Sequence, residues 1–203
     1  IGPNYNKPWE LFDELDRETS LARARAERAA AVACATAPLE QALCAALALR
    51  YPEGSIDDCA AWNDAYADAM RGVHAAHADQ LDVTSLFAEA VMNRTPWLLW
   101  DLQSGQPAEG AGTLEVVEVL ETAMRDTPGA MRHPGLLHMY VHVMEMSPFP
   151  ERALKAGDAL YDLVPDSGHL RHMPTHIDVL CGHYQTVVER NHAAVLVDRK
   201  FVA

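Results

Sequence analysis

The sequence lacks the patterns that mark β-sheets, disulfide frameworks and membrane spans. Its four cysteines are scattered among 203 residues without a C-x-x-C pair, so we expect no disulfide framework and a reducing, cytoplasmic location. No apolar run approaches the roughly 20 residues of a membrane-spanning helix. Alternating β-branched runs and Asn-Gly hairpin signals are nearly absent, whereas helical periodicity recurs along the chain. These patterns together predict an all-α fold.

Basic residues are also few, with 16 Lys and Arg against 29 Asp and Glu and a formal net charge of −13. This balance disfavours nucleic acid and anionic membrane surfaces as partners, because both attract basic patches. It suits a metal ion or another cation better. The composition is 49% hydrophobic, which is enough for a sizeable core. The chain begins Ile1-Gly2-Pro3 without an initiator Met, and we expect it to be a fragment of a longer protein.

What the sequence does contain is a concentration of histidine. The segment HMYVH places His138 and His142 four residues apart, and the segment HMPTH does the same for His172 and His176. The two pairs are 34 residues apart, from 138 to 172 and from 142 to 176. That spacing is the period of the tetratricopeptide helical repeat. We therefore predict that the pairs occupy equivalent positions on consecutive repeats.

The repeat pattern divides the chain into two predicted regions. Small residues and a closing Pro recur with the repeat spacing in residues 81–203, which predicts tetratricopeptide-like antiparallel helix pairs stacked as an α-solenoid. Residues 1–80 fit loosely and are predicted to be helical, either as degenerate repeats or as a cap. The segments HPGLLHMYVH and GHLRHMPTHI, with the opening GPNYNKPW, resemble a group of tetratricopeptide-repeat proteins from bacteria and fungi. The resemblance implies an all-α repeat fold and no particular reaction.

In such repeats the first helix of each pair lines a concave groove, and its positions two, five, nine and twelve face that groove. The repeat register places six side chains at these positions: His138, His142, Glu145, His169, His172 and His176. Imidazoles four residues apart share one helix face, an arrangement that supplies two ligands to a metal ion. We therefore predict a groove site for a divalent transition metal (Zn, Cu, Fe or Mn), since imidazole and carboxylate ligands suit all four.

Each of these assignments has a structural alternative. A single histidine on a helix is usually a hydrogen-bonded structural residue, and a polar groove that binds a peptide without metal stays open as a hypothesis. Pro174 disfavours helix in the residue before it, which predicts that His169 and His172 lie on a loop. Three further side chains are candidates for supporting or pocket roles: Glu89, Asp178 and Tyr5. For Glu89, a solvated helix face is equally compatible with the pattern.

Two functional classes follow from these features. Signatures of Ser-His-Asp or Cys-His catalysis and phosphate-binding Gly loops are absent, so a metal-dependent enzyme is the favoured hypothesis, an oxidoreductase or a hydrolase acting on a small molecule. The alternative is a protein-interaction scaffold, the usual role of such repeats, whose groove binds a peptide. Scaffold grooves that hold acidic peptide ends present Lys, Arg and Asn, whereas this predicted groove presents His and Glu. That difference favours the enzyme.

Overall fold

The chain folds into helices, as its periodicity predicts. A computed structural model describes residues 3–53 and 59–202, with side chains to Lys200. These residues contain ten α-helices, three short 3-10 helices and no β-strand. The α-helices are α1 (Glu14–Cys34), α2 (Pro38–Arg50), α3 (Cys59–Ala76), α4 (Leu81–Met92), α5 (Thr113–Asp126), α6 (Pro134–Met144), α7 (Leu154–Tyr161), α8 (Gly168–His172), α9 (Thr175–Leu180) and α10 (Tyr184–Val202). The 3-10 helices are Trp9–Leu11, Ala130–Arg132 and Pro150–Ala153.

Helices α1 to α4 belong to the first of two compact units, which comprises the residues up to Leu98 together with Gly110–Gly112. Consecutive helices of this unit pack against one another, α1 on α2, α2 on α3 and α3 on α4. The side chain of Asp13 caps α1. Pro38 is the first residue of α2, a position at which the backbone N–H that proline lacks would make no hydrogen bond within the helix. Trp9 lies in a buried apolar cluster that fixes the opening segment against α1 and α2.

Helices α5 to α10 belong to the second unit, which comprises Leu99–Glu109 and the residues from Thr113 onwards. In this unit α6 packs against α5 and α7, and α10 packs against both α8 and α9. Eight of the eleven residues of α6 are buried. A helix that is apolar on nearly all sides lies inside its unit. Polar side chains on α6 are therefore carried into the interior, where they need partners.

One prediction about the second unit is wrong. His169 and His172 do not lie on a loop before Pro174, because Ser167 caps α8 by accepting a hydrogen bond from the Leu170 amide at 3.3 Å. The residue before Pro174 and Pro174 itself keep right-handed helical backbone angles. The proline therefore separates α8 from α9 and does not delay the start of the helical segment.

The organisation of the chain has two further aspects. The predicted boundary near residue 80 separates two regions by their repeat pattern, and it stays a prediction. The compact units divide the chain at a different place, since the first one extends to Leu98. Within the described ranges, no helix is both long enough and apolar enough to cross a membrane.

Candidate metal centre

Helix α6 places two of the predicted ligands inside the second unit. His133 caps the helix, its Nδ1 accepting a hydrogen bond from the Leu136 amide at 3.0 Å, and Pro134 follows at the first helical position. His138 and His142 lie one turn apart on the same face, with ring centroids separated by 4.7 Å. His142 is only 1% exposed, because neighbouring helices surround α6.

Helices α8 and α9 supply the other three histidines. His169 and His172 lie on α8, and His176 lies on α9. The ring centroid of His169 is 5.0 Å from that of His138, and the ring centroid of His176 is 6.0 Å from that of His142. The imidazoles from the two segments therefore lie together, as the repeat register predicts. His169 is exposed, so one edge of this histidine cluster faces solvent.

Three of the histidines form a triad, in which one ring nitrogen each of His138, His142 and His169 lies within 4.8 Å of the other two. The Nε2 atoms of His138 and His169 are 3.1 Å apart. Two nitrogens bound to a tetrahedral zinc ion, each about 2.0–2.1 Å from the metal, are about 3.3 Å from one another. The separation of His138 and His169 is thus close to that of two ligands around one metal ion.

Glu145 follows α6 and contacts a histidine of each segment. Its Oε1 is 2.9 Å from Nδ1 of His142, and its Oε2 is hydrogen-bonded to Nδ1 of His176. Burial raises the pKa of this carboxyl, but the hydrogen bonds from the two imidazoles outweigh burial and bring the pKa to about 2. In this arrangement Glu145 orients the rings through Nδ1 and leaves Nε2 for a metal ion. The role of Glu145 as a direct ligand stays a prediction.

Burial also favours the neutral form of two triad imidazoles. It lowers the pKa of His138 to about 3, and the neighbouring His142 and His169 add to the effect. The pKa of His169 is lowered as well, first by partial burial of its ring, whose outer edge is exposed, and then by nearby histidines. A neutral imidazole offers the lone pair that a metal ligand needs. At neutral pH these two rings are therefore in the form that binds metal.

His172 and His176 form a second close pair, with their Nε2 atoms 2.9 Å apart. Nδ1 of His172 is 2.6 Å from Oδ1 of Asn191, which lies on α10. Sequence reasoning missed Asn191, because it stands 19 residues beyond its partner and belongs to no spacing motif. The repeat pattern pairs the helix that carries Asn191 with the preceding one, but it does not single out this residue.

The remaining predicted residues have partners of other kinds. Glu89 lies in the first unit and forms a bidentate ion pair with Arg50, both N–O distances being 2.9 Å. The Glu89 side chain is 17% exposed, so the alternative of a solvated helix face is wrong. Tyr5 is buried in the same unit. Asp178 accepts a hydrogen bond from Arg190 at 2.8 Å, so this contact of its carboxylate is an ion pair and not a bond to a cluster histidine.

The similarity of this chain to known proteins lies in its fold. Neither a protein-family model nor a curated protein sequence matches it. A solved structure of a tetratricopeptide-like protein, MamA MSR-1 C2, is similar with a TM-score of 0.52 and 12% sequence identity, over 91% of this chain and 95% of that chain. Identity this low shows the fold alone. The prediction of an all-α, tetratricopeptide-like fold class is therefore confirmed.

Proposed function

We propose that this chain binds a divalent transition metal through His138, His142 and His169 and acts as a metal-dependent enzyme on a small molecule. One observation carries the proposal: a ring nitrogen of each residue lies within 4.8 Å of the other two. Three imidazoles that leave a coordination position open are a known ligand set of catalytic metal sites. Zn, Cu, Fe and Mn all accept imidazole, so the set fits each of them.

Three further features support a metal ion at the triad. The lowered pKa values of His138 and His169 keep both rings unprotonated, which removes the proton that would compete with a metal. Nδ1 of His142 faces the carboxylate of Glu145, and metal-bound histidines typically donate their second ring N–H to such a group. The net charge of −13 also favours a cation over an anion.

The proposed reaction is metal-assisted hydrolysis or oxidation. A metal ion bound by imidazoles lowers the pKa of a coordinated water to about 7 or polarises a substrate oxygen. The chain's own contribution is to hold the three imidazoles in place and to bury one side of the triad. The exposed side, at His169, is where a small substrate would approach.

A finer family assignment belongs to the same proposal. We place the chain with the bacterial and fungal tetratricopeptide-repeat proteins that contain the HxxxH and HLxHMPTHI motifs. The assignment rests on residues 133–142 and 168–177, which also supply all five histidines of the cluster. A cytoplasmic location is proposed from the scattered cysteines, which are typical of reducing compartments.

A protein-interaction scaffold is the second candidate function. The tetratricopeptide-like fold favours it, since such repeats generally mediate protein–protein interactions. On this hypothesis the histidines contact a bound peptide, and the purified protein retains no metal. Nucleic acid and anionic membranes suit neither candidate, because the net charge of the chain is strongly negative.

Elemental analysis of the purified protein separates the two candidates. We expect at least one transition-metal ion per chain after dialysis, and fewer ions per chain in the His138→Ala/His169→Ala variant. The matched control is His183→Ala/His192→Ala, which also removes two histidines but none from the cluster, and which should keep the metal. Metal-free protein whose unfolding temperature does not change on addition of Zn, Cu, Fe or Mn would contradict the enzyme and favour the scaffold.

A further inference from the structure

His172 and His176 are a separate feature from the triad. In the part of the chain that the structure describes, the triad is the one group of three His, Cys, Asp or Glu side chains whose ligand atoms all lie within 4.8 Å of one another. His172 and His176 lie outside that group, yet their own Nε2 atoms are 2.9 Å apart. So short a contact between two ring nitrogens needs its own explanation.

The partner of His172 fixes where its proton lies. Nδ1 of His172 is 2.6 Å from Oδ1 of Asn191. The amide of Asn191 is held in this orientation, because its nitrogen donates to the carbonyl of Val187 at 3.0 Å. The hydroxyl oxygen of Thr175 also lies 3.3 Å from the same ring nitrogen. An amide oxygen only accepts hydrogen bonds, so the 2.6 Å contact assigns the ring proton to Nδ1.

The ring proton of His176 is assigned to Nδ1 in the same way. Its Nδ1 is hydrogen-bonded to Oε2 of Glu145, and an ionised carboxylate only accepts. When both rings are neutral and carry their protons on Nδ1, the Nε2 atoms are two lone pairs that face each other at 2.9 Å. Two lone pairs at that distance repel one another unless a cation lies beside them. The cation is either a proton or a metal ion.

A metal ion suits the separation of the two nitrogens. With metal–nitrogen bonds of about 2.0–2.1 Å, nitrogens 2.9 Å apart subtend an angle of about 90° at the metal, as neighbouring ligands of a square-planar or octahedral ion do. We infer that His172 and His176 bind a second divalent transition metal, so that the centre is dinuclear. The inference rests on the proposed function of the triad.

Glu145 connects the two metal sites. One of its oxygens contacts His142 of the triad, and the other contacts His176 of the second pair. Its side chain is 8% exposed, so this carboxylate lies in a setting where its charge is poorly screened by water. A single buried anion thereby stabilises one imidazole ligand of each ion.

The second ion has more positions open than the first. Two protein nitrogens hold it, whereas three hold the ion of the triad, so we expect the second ion to bind more weakly and to leave first on dialysis. Its open positions are available to water and to oxygen atoms of a substrate. Pairs of metal ions act on the attacking and leaving oxygens in hydrolytic sites. A dinuclear centre would supply the two ions that such hydrolysis uses.

Metal stoichiometry after saturation with Zn or Co and removal of excess ion tests the inference. We expect two ions per chain in the wild type, one in His172→Ala/His176→Ala, and two in the control His183→Ala/His192→Ala. The ion that remains in the double variant demonstrates that the variant is folded.

Three other results would overturn the second site. One ion in both the wild type and the double variant would mean that the pair holds a proton. One ion in the wild type and none in the folded double variant would mean a single site built from all five histidines. Two ions in both would place the second ion elsewhere. No ion in any of the proteins would contradict the proposed function itself, and this result differs from the three that overturn only the second site.

Asn191 provides a sharper test, as a positioning residue for His172. Asn191→Ala removes the oxygen that accepts from Nδ1, and we expect the Kd of the second ion to rise about 10- to 100-fold while that of the first ion stays the same. Asn191→Asp keeps an acceptor oxygen and should restore tight binding. Competition with a chromogenic chelator measures both constants. Equal weakening of the two ions, or no change in either, would contradict the assignment.

Discussion

Each unit contains a buried polar cluster, and the two clusters balance their charges in different ways. The first unit contains what we call the Arg50 cluster, in which Arg50 is 6% exposed and forms a bidentate pair with Glu89 at 2.9 Å. The carbonyl of Pro3 accepts a further hydrogen bond from Arg50 at 2.8 Å, and Asn93 donates to Glu89. One buried cation thus meets one buried anion, and no external ion is needed.

The histidine cluster of the second unit has many nitrogen acceptors and a single carboxylate. Its shortest nitrogen contacts, 3.1 Å for His138 with His169 and 2.9 Å for His172 with His176, join like atoms. A pair of opposite charges neutralises itself, whereas ring nitrogens whose lone pairs lie close together would be completed by a cation from outside. The comparison supports a structural role for the Arg50 cluster and the proposed binding role of the histidine cluster.

Removal of one partner of the Arg50 cluster should have the largest effect on stability. Glu89→Ala leaves the buried guanidinium of Arg50 uncompensated, and we expect the free energy of unfolding to fall by about 3–5 kcal/mol. Denaturant titration of the metal-free protein measures the change. The matched control is Asp64→Ala, which removes an exposed partner of Arg94 and should cost less than about 1 kcal/mol. Equal losses in the two variants would contradict a structural role for the buried pair.

Addition of metal should stabilise the histidine cluster next most strongly. An ion that binds only the folded chain raises the free energy of unfolding by about 2.7 kcal/mol at 100 times its Kd. We expect this gain with Zn in the wild type and in Asp64→Ala, and a smaller gain, from the second ion alone, in His138→Ala/His169→Ala. Thermal unfolding with and without metal measures it. An identical gain in the double histidine variant would show that the stabilising ion binds elsewhere.

The fold class and the meeting of the histidines were predictable, because both depend on regular spacing. Helical periodicity is a local property, and it was enough to predict an all-α chain. A spacing of 34 residues relates His138 to His172 and His142 to His176, so one repeat relation was enough to predict that the two segments approach each other.

Contacts outside the repeat relation were not predictable in the same way. Glu89 and Arg50 are 39 residues apart in the sequence, and His172 and Asn191 are 19 apart. Neither separation corresponds to a helix turn or to the repeat period. Such contacts are determined by packing in three dimensions. The expected loop before Pro174 failed for a related reason. A local backbone preference of proline was outweighed by the Ser167 cap and by the packing of α10 on both short helices.

Glu145→Gln tests the link between the carboxylate and the metal ligands. Glutamine keeps the size of the side chain but loses the charge that stabilises the imidazole protons of His142 and His176. We expect metal affinity to fall about 10- to 100-fold, measured by chelator competition. Glu121→Gln is the matched control, because Glu121 contacts Tyr140 and Arg152 and no histidine of the cluster. An unchanged affinity in Glu145→Gln would contradict the role given to this carboxylate.

Per pH unit, the smallest expected effect is on the stability of the metal-free protein. The pKa of His138 is about 3 in the folded chain, below its ordinary value of 6.5, because of burial and neighbouring histidines. The unfolded chain therefore takes up this proton first as pH falls, and the free energy of unfolding decreases between about pH 6.5 and pH 3. One such group changes the slope by at most about 1.4 kcal/mol per pH unit.

His138→Gln should therefore flatten this part of the stability profile, measured by denaturant titration in the presence of chelator at several pH values. The exposed His192 is the matched control, since His192→Gln removes a histidine without removing a buried imidazole. Arg50 gives no such response, because burial lowers its pKa but Glu89 more than offsets this and raises it. Equal slopes in the wild type and in both histidine variants would mean that His138 is not held neutral by its surroundings. A flatter profile in His138→Gln alone would show that the pH dependence of stability arises at the triad. Protons and metal ions compete for the ring nitrogens of these residues.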